Sequence, residues 1–202
     1  MLRYAITHRA EYSGSPEYRL ESVIQEATRW GGAGIEFIQL REKDLASAEQ
    51  VALARSLLHA VRGTGSRILI NARVDVAVAA GADGVHLTGS SGELRPEQVR
   101  EVFRLAGRGV PFVSVSCHSV QDVAQARNQA ADAVLFGPVF GKFVDGVEVL
   151  PGIGLAALHA ACEAAGQMPV FALGGVTWEH ADECWAAGAV GVAGIRLFRG
   201  KL

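Results

Sequence analysis

The sequence predicts a (β/α)8 TIM barrel with a stunted eighth helix, and two observations carry that reading. First, a phrase of small residue, alanine and apolar run occurs four times. The copies are Gly32-Ala33-Gly34-Ile35-Glu36-Phe37, Gly81-Ala82-Asp83-Gly84-Val85-His86-Leu87, Ala130-Ala131-Asp132-Ala133-Val134-Leu135-Phe136 and Gly188-Ala189-Val190-Gly191-Val192-Ala193, starting 49, 49 and 58 residues apart. Each follows an Ala-rich amphipathic stretch, so its first residue reads as a helix C′ cap and its apolar run as a strand. Second, one more strand fits between successive copies. Each period then holds two βα units, and four periods make eight strands. Residues 1–202 read as one domain, at the short end for such a barrel.

The elements follow in order. Leu2–Thr7 is the first strand and Glu17–Trp30 the first helix. Ile35–Arg41 precedes a helix over Ala46–Val61, with Asp44 as its expected N-cap. Arg67–Asn71 leads into a short helix, Val74–Ala80, and Gly84–Thr88 into Arg95–Leu105. Phe112–Cys117 is followed by Val120–Asn128, capped by Ser119. After Ala133–Gly137 comes a long loop, Phe140–Ile153, of the kind that serves as a lid or ligand loop. Gly154–Ala164, Pro169–Leu173, Trp178–Ala186 (capped by Thr177) and Gly191–Ile195 complete the pattern. Leu197–Leu202 is too short for a full helix, which leaves a bare flank unless another subunit or the first helix covers it; a homodimer is expected.

Composition narrows the function. A formal net charge of −2 gives no electrostatic footprint for nucleic acid. No apolar run approaches the ~20 residues of a membrane span, and the N-terminus does not read as a signal peptide. Cys117, Cys162 and Cys184 are odd in number and widely spaced, so they read as buried thiols in a reducing, cytoplasmic setting.

In a TIM barrel, chemistry sits at the C-terminal strand ends. Gln39 and Arg41 alternate onto the same inward face, with Lys43 just above them. An inward Arg at the mouth fits a phosphate or carboxylate; the plainer alternative is a rim salt bridge to Glu42 or an Asp. Asn71 suits a substrate amide or ring nitrogen, while Asp75 reads as a helix cap. His118 ends strand five, where a proton shuttle is best placed, and His86 lies deeper in strand four. Gly174, Gly175, Gly194, Ile195 and Arg196 end the last two strands, where barrels bind phosphate through backbone N–H groups. Gly152 adds a possible donor from the long loop. No metal-ligand spacing stands out.

Taken in order, Gln39-Leu40-Arg41-Glu42-Lys43, Ile70-Asn71, Arg73-Val74-Asp75, Gly81–Leu87, Phe136-Gly137-Pro138-Val139-Phe140 and Gly174-Gly175-Val176 resemble the thiamine-phosphate synthase/TenI family of barrels. The resemblance implies a small phosphorylated heterocyclic substrate. In the family's synthases an aminopyrimidine methyl diphosphate joins a thiazole phosphate with Mg²⁺. Gln39, Arg41 and Lys43 match the motif that contacts the pyrimidine and its diphosphate, and Gly174-Gly175 the turn that contacts the thiazole phosphate. The TenI branch includes metal-independent thiazole tautomerases, and His118 matches a histidine of that branch.

The sequence also departs from the synthase pattern. Ala72 stands where the family has one metal aspartate, and Thr88–Ser91 lacks the other. Gly141–Asp145 replaces the threonine-rich phosphate loop, with Lys142 as a substitute charge. Pro138 stands where TenI proteins have a second histidine, and Arg196 where the family has serine. The expected function is therefore a thiazole tautomerase with no cofactor and His118 as acid/base. The alternatives are a Mg²⁺-dependent synthase and a non-catalytic barrel that binds thiamine intermediates.

Overall fold

The computed structural model describes residues 1–144 and 147–200, with backbone alone for 142–144, 147 and 148. The strands in chain order are β1 (Leu2–Ile6), β2 (Phe37–Leu40), β3 (Arg67–Asn71), β4 (Gly84–Leu87), β5 (Phe112–Cys117), β6 (Ala133–Phe136), β7 (Lys142–Val144), β8 (Val147–Leu150), β9 (Val170–Leu173) and β10 (Gly191–Gly194). All but β7 and β8 are parallel and close into an eight-stranded barrel, in the order β1-β10-β9-β6-β5-β4-β3-β2. The helices are α1 (Pro16–Gly32), α2 (Ser47–Ala60), α3 (Val74–Ala80), α4 (Pro96–Leu105), α5 (Val120–Asn128), α6 (Gly154–Ala165) and α7 (Ala181–Ala186). None of them is long and apolar enough to cross a membrane.

The caps explain the helix starts. Ser15 accepts a hydrogen bond from the Tyr18 N–H at 3.2 Å, and Pro16 opens α1 where its missing N–H costs nothing. Ser119 and Asp122 form a reciprocal capping box on α5. Asp44 does not cap α2. It forms a bidentate pair with Arg9, and Ala46 takes the cap position with Glu49 accepting from its N–H. Thr177 precedes a single 3-10 turn, Trp178–His180, and only Ala181–Ala186 is α-helical.

The repeated phrase does mark helix-to-strand turns. Gly81, Ala130 and Gly188 take the left-handed conformation, with φ of 77°, 58° and 102°. In the first copy that role falls to Gly34 (φ 73°), two residues later than Gly32. The extra glycine there shifts the turn without changing its geometry.

Two layers of core result. Between sheet and helices lie Val23, Ala27 and Trp30 of α1, which share a face by helical spacing, together with Val99 and Phe103 of α4. Inside the barrel, Tyr4, Phe37, Leu69, Leu135, Phe171 and Ala193 alternate inward and form an apolar floor. Tyr4, Phe37 and Phe171 pack with ring centroids 5.5–5.7 Å apart. One step higher the inward residues turn polar: Gln39, Asn71, His86 and Ser114, all buried.

Two expectations change here. Residues 140–153 hold the antiparallel hairpin of β7 with β8 rather than an irregular loop. The tail holds no eighth helix among the described residues, but Phe198 is fully buried and its ring meets Trp178 at 5.6 Å. Trp30 Nε1–H donates to the Phe198 carbonyl at 2.9 Å, and Arg29 donates to it as well. The chain thus covers the flank whose exposure was the reason for expecting a homodimer. Of the thiols, Cys117 and Cys184 are buried and Cys162 half-buried, all free.

Candidate functional site

Three cavities lie at the C-terminal ends of the barrel strands. The first, about 560 Å³, lies at the ends of β1, β2, β9 and β10 and is lined by His8, Arg41, Gly174, Gly175, Gly194, Ile195 and Arg196. Gly174 and Gly175 have φ of 91° and 63°. A Cβ on Gly174 would sit 2.6 Å from Pro138 Cα, and one on Gly175 would sit 2.6 Å from the Gly141 carbonyl oxygen. Only glycine fits both the conformation and the space.

The charge in this cavity differs from expectation. Arg196 is spent on Glu11, with Nη2 at 2.7 Å and Nε at 3.0 Å from its carboxylate, and Arg199 reaches the same group at 3.3 Å. These cations hold the Glu11 carboxyl below the usual carboxylate range; the hydrogen bond to Arg196 is the main cause. Arg41, by contrast, forms no ion pair among the described residues. Glu42, its suspected partner, instead accepts from the Arg9 backbone N–H at 3.0 and 3.1 Å. Burial, only partly offset by those bonds, raises the Glu42 pKa. The half-buried Arg41 is therefore a cation available to an anion in this cavity.

Gly152 does not line this cavity. A Cβ there would lie 2.6 Å from the Val139 carbonyl oxygen, so the residue is needed for loop packing. The Lys142 side chain falls outside the described ones.

The second cavity, about 270 Å³, lies at the ends of β2, β3 and β4, with Lys43, Asn71, Arg73 and Thr88 in its wall. Lys43 is exposed here, apart from the cavity that holds Arg41. Asn71 Oδ1, in that wall, accepts from Gln39 Nε2 at 2.9 Å, while the buried Gln39 Oε1 has no partner among the described residues. A buried acceptor left open costs about 1–3 kcal/mol, so this atom points to a ligand donor.

His118 borders the third cavity, about 630 Å³, with Ser116, Thr88 and Asp122. It does not line the cavity that Gly174 and Gly175 line. The two are joined through Gly137 and Pro138, just after β6. His118 Nδ1 lies 2.5 Å from the Gly137 carbonyl, and Gly137 precedes Pro138, which packs on Gly174. A carbonyl only accepts, so Nδ1 carries the proton and the neutral ring leaves Nε2 unprotonated.

His86 is not placed to touch a ligand. Its ring nitrogens both lie 2.9 Å from serine hydroxyls, Ser114 at Nδ1 and Ser116 at Nε2. Burial, with a smaller contribution from the Arg41 charge, lowers its pKa to about 3, so the ring is neutral. Sequence reading missed Ser114 and Ser116, although alternation puts both on one face of β5, four and two residues before His118.

Magnesium, which the synthase resemblance implies, needs several oxygen ligands. Asp75 is bound by Arg73 at 2.5 and 2.8 Å, and Glu93 by the N–H groups of Thr88 and Gly89 at 2.8 and 3.0 Å. Glu42 is only 4% exposed and already bonded. The described residues contain no cluster of three or more potential ligands, and these carboxylates do not fit the ion.

Known proteins match this arrangement along nearly its full length. The model of the TMP-TENI family, thiamine monophosphate synthase, matches residues 3–198. The thiamine-phosphate synthase of Roseiflexus castenholzii is 35% identical over 95% of this chain and 78% of its own. That of Thermus thermophilus is 32% identical over 90% of this chain and 83% of its own. Among solved structures, the thiamine phosphate pyrophosphorylase of Pyrococcus furiosus superposes with a TM-score of 0.78 at 26% identity, covering 96% of this chain and 85% of its own.

Proposed function

Because the chain belongs to the TMP-TENI family of thiamine monophosphate synthases, we propose that its mouth binds a phosphorylated thiazole and moves a proton on the ring. The observation that supports this most is the first cavity, where the Gly174-Gly175 turn and the uncommitted Arg41 line one space. The backbone N–H groups there and the planar guanidinium suit a dianionic phosphate. His118, with Nδ1 tied to Gly137 and Nε2 open, can take a proton from the ring and return it to another atom. Such a tautomerisation needs no charge beyond that of the protein, which accords with the committed carboxylates.

The second reading is thiamine phosphate formation, as in the relatives' names. It is favoured by the second cavity, which Asn71 and Lys43 line, and by Gln39, bonded to that Asn71 and with an open acceptor in Oε1. Those groups suit an aminopyrimidine and its diphosphate. The metal ion would have to enter with the diphosphate, since the described side chains do not hold it.

The two readings separate in one assay. The protein is given the thiazole carboxylate phosphate alone, and in parallel the thiazole phosphate with the pyrimidine diphosphate, each with Mg²⁺ and with EDTA. Turnover of the first substrate in EDTA is expected. Efficient, Mg²⁺-dependent formation of thiamine phosphate with no tautomerisation would overturn the reading in favour of the second.

A further inference from the structure

A buried line of hydroxyls and one imidazole runs from the barrel floor to the mouth. Tyr4 Oη lies 3.0 Å from Ser114 Oγ, Ser114 Oγ 2.9 Å from His86 Nδ1, and His86 Nε2 2.9 Å from Ser116 Oγ. Tyr4 and Ser114 are fully buried and His86 is 3% exposed. Ser116 is half-buried and borders the cavity that also holds His118.

The closed end of this line sets its direction. Tyr4 is packed against Phe37 and Phe171, and its hydroxyl has no partner other than Ser114 among the described residues. If the line ran inward, with Ser116 donating to His86 and Ser114 donating to Tyr4, the Tyr4 proton would have no acceptor in an apolar core. A buried donor without an acceptor is costly. Run outward, every group is satisfied. Tyr4 donates to Ser114, Ser114 donates to His86 Nδ1, and His86 Nε2–H donates to Ser116. The neutral state of the buried ring agrees with one donor and one acceptor nitrogen.

We propose that Ser114 is a positioning residue that fixes His86 as its Nε2–H tautomer, so that Ser116 turns its own proton to the mouth and selects a hydrogen-bond acceptor on the ligand. The class selected is a phosphate or carboxylate oxygen or an unprotonated ring nitrogen. A ligand presenting N–H at that point would meet an opposed O–H. Which ligand occupies the mouth rests on the proposed function; the tautomer does not.

Full-length protein carrying ¹⁵N-labelled histidine reports the tautomer directly in a long-range ¹H–¹⁵N spectrum at pH 7, without ligand. His86→Gln assigns the signals by their loss. The expected result is a protonated Nε2 and an unprotonated Nδ1. A protonated Nδ1, or two averaged nitrogens, overturns the proposal. In Ser114→Ala the two nitrogens should average, and Ser114→Thr should restore the native pattern. An unaltered Nε2–H form in Ser114→Ala shows that Ser114 does not fix it. Tyr4→Phe should keep the Nε2–H form, because Ser114 then ends the line with the same direction. Titration with a phosphorylated thiazole should show about two- to tenfold weaker binding in Ser114→Ala, the worth of one hydrogen bond. No change would mean that the line does not reach the ligand. A native protein with the Nε2–H form that binds no such thiazole overturns the functional reading and leaves this one in place.

Discussion

Replacing His118 by alanine is expected to lower turnover of the thiazole carboxylate phosphate by about 10²–10⁴-fold, the usual range for a lost general acid/base. Binding should change little, because Arg41 and the Gly174-Gly175 turn line a different cavity from His118. The fold should survive as well. His118 is exposed, and its ring makes one hydrogen bond, to the Gly137 carbonyl. His118→Gln is the sharper control, since its amide can still donate to Gly137 but offers no base. Steady-state kinetics separate the outcomes: kcat should fall in both variants while KM stays near its native value. A loss confined to KM would make His118 a binding group and remove the proton-transfer step from this residue.

Phe198→Ala is expected to cost about 3–5 kcal/mol of stability, the range for removing a buried aromatic. Against a total of about 5–15 kcal/mol that is a large share. The ring is fully buried beside Trp178, and the Phe198 carbonyl is held by Trp30 and Arg29 of α1. Without the ring, the flank between β10 and α1 loses the side chain that covers it. Urea unfolding gives the number. A loss below about 1 kcal/mol would show that something other than the tail covers that face, and a second subunit would again be the candidate.

These two residues mark what a single sequence shows and what it hides. His118 was legible because strand alternation and the barrel's own rule place a strand-end histidine at the mouth. Phe198 was not, because a short tail carries no periodicity to say which surface it returns to. The strands and helices were legible for the same reason as His118: small residues, alternation and caps all agree along the chain. The hairpin β7–β8 was hidden behind glycine and proline, which read as loop. In the site, Gln39, Arg41, Asn71 and the Gly174-Gly175 turn stand where their strand positions put them. Arg196 misled, because nothing in its neighbourhood announces that Glu11, far off in sequence, neutralises it. His86 misled for a related reason, since its two serine partners lie on the adjacent strand. Pairing between remote positions is set by packing, and a local pattern does not report it.

The proposed site turns on Arg41, as the cation that meets the ligand's phosphate in the first cavity. Calorimetric titration of Arg41→Ala with a phosphorylated thiazole isolates that contact. Loss of a charge-assisted hydrogen bond of about 1.5–3 kcal/mol predicts roughly 10- to 150-fold weaker binding than the native protein shows. Unchanged affinity would remove Arg41 from the site and place the phosphate elsewhere, with the cavity of Lys43 and Arg73 as the next to test.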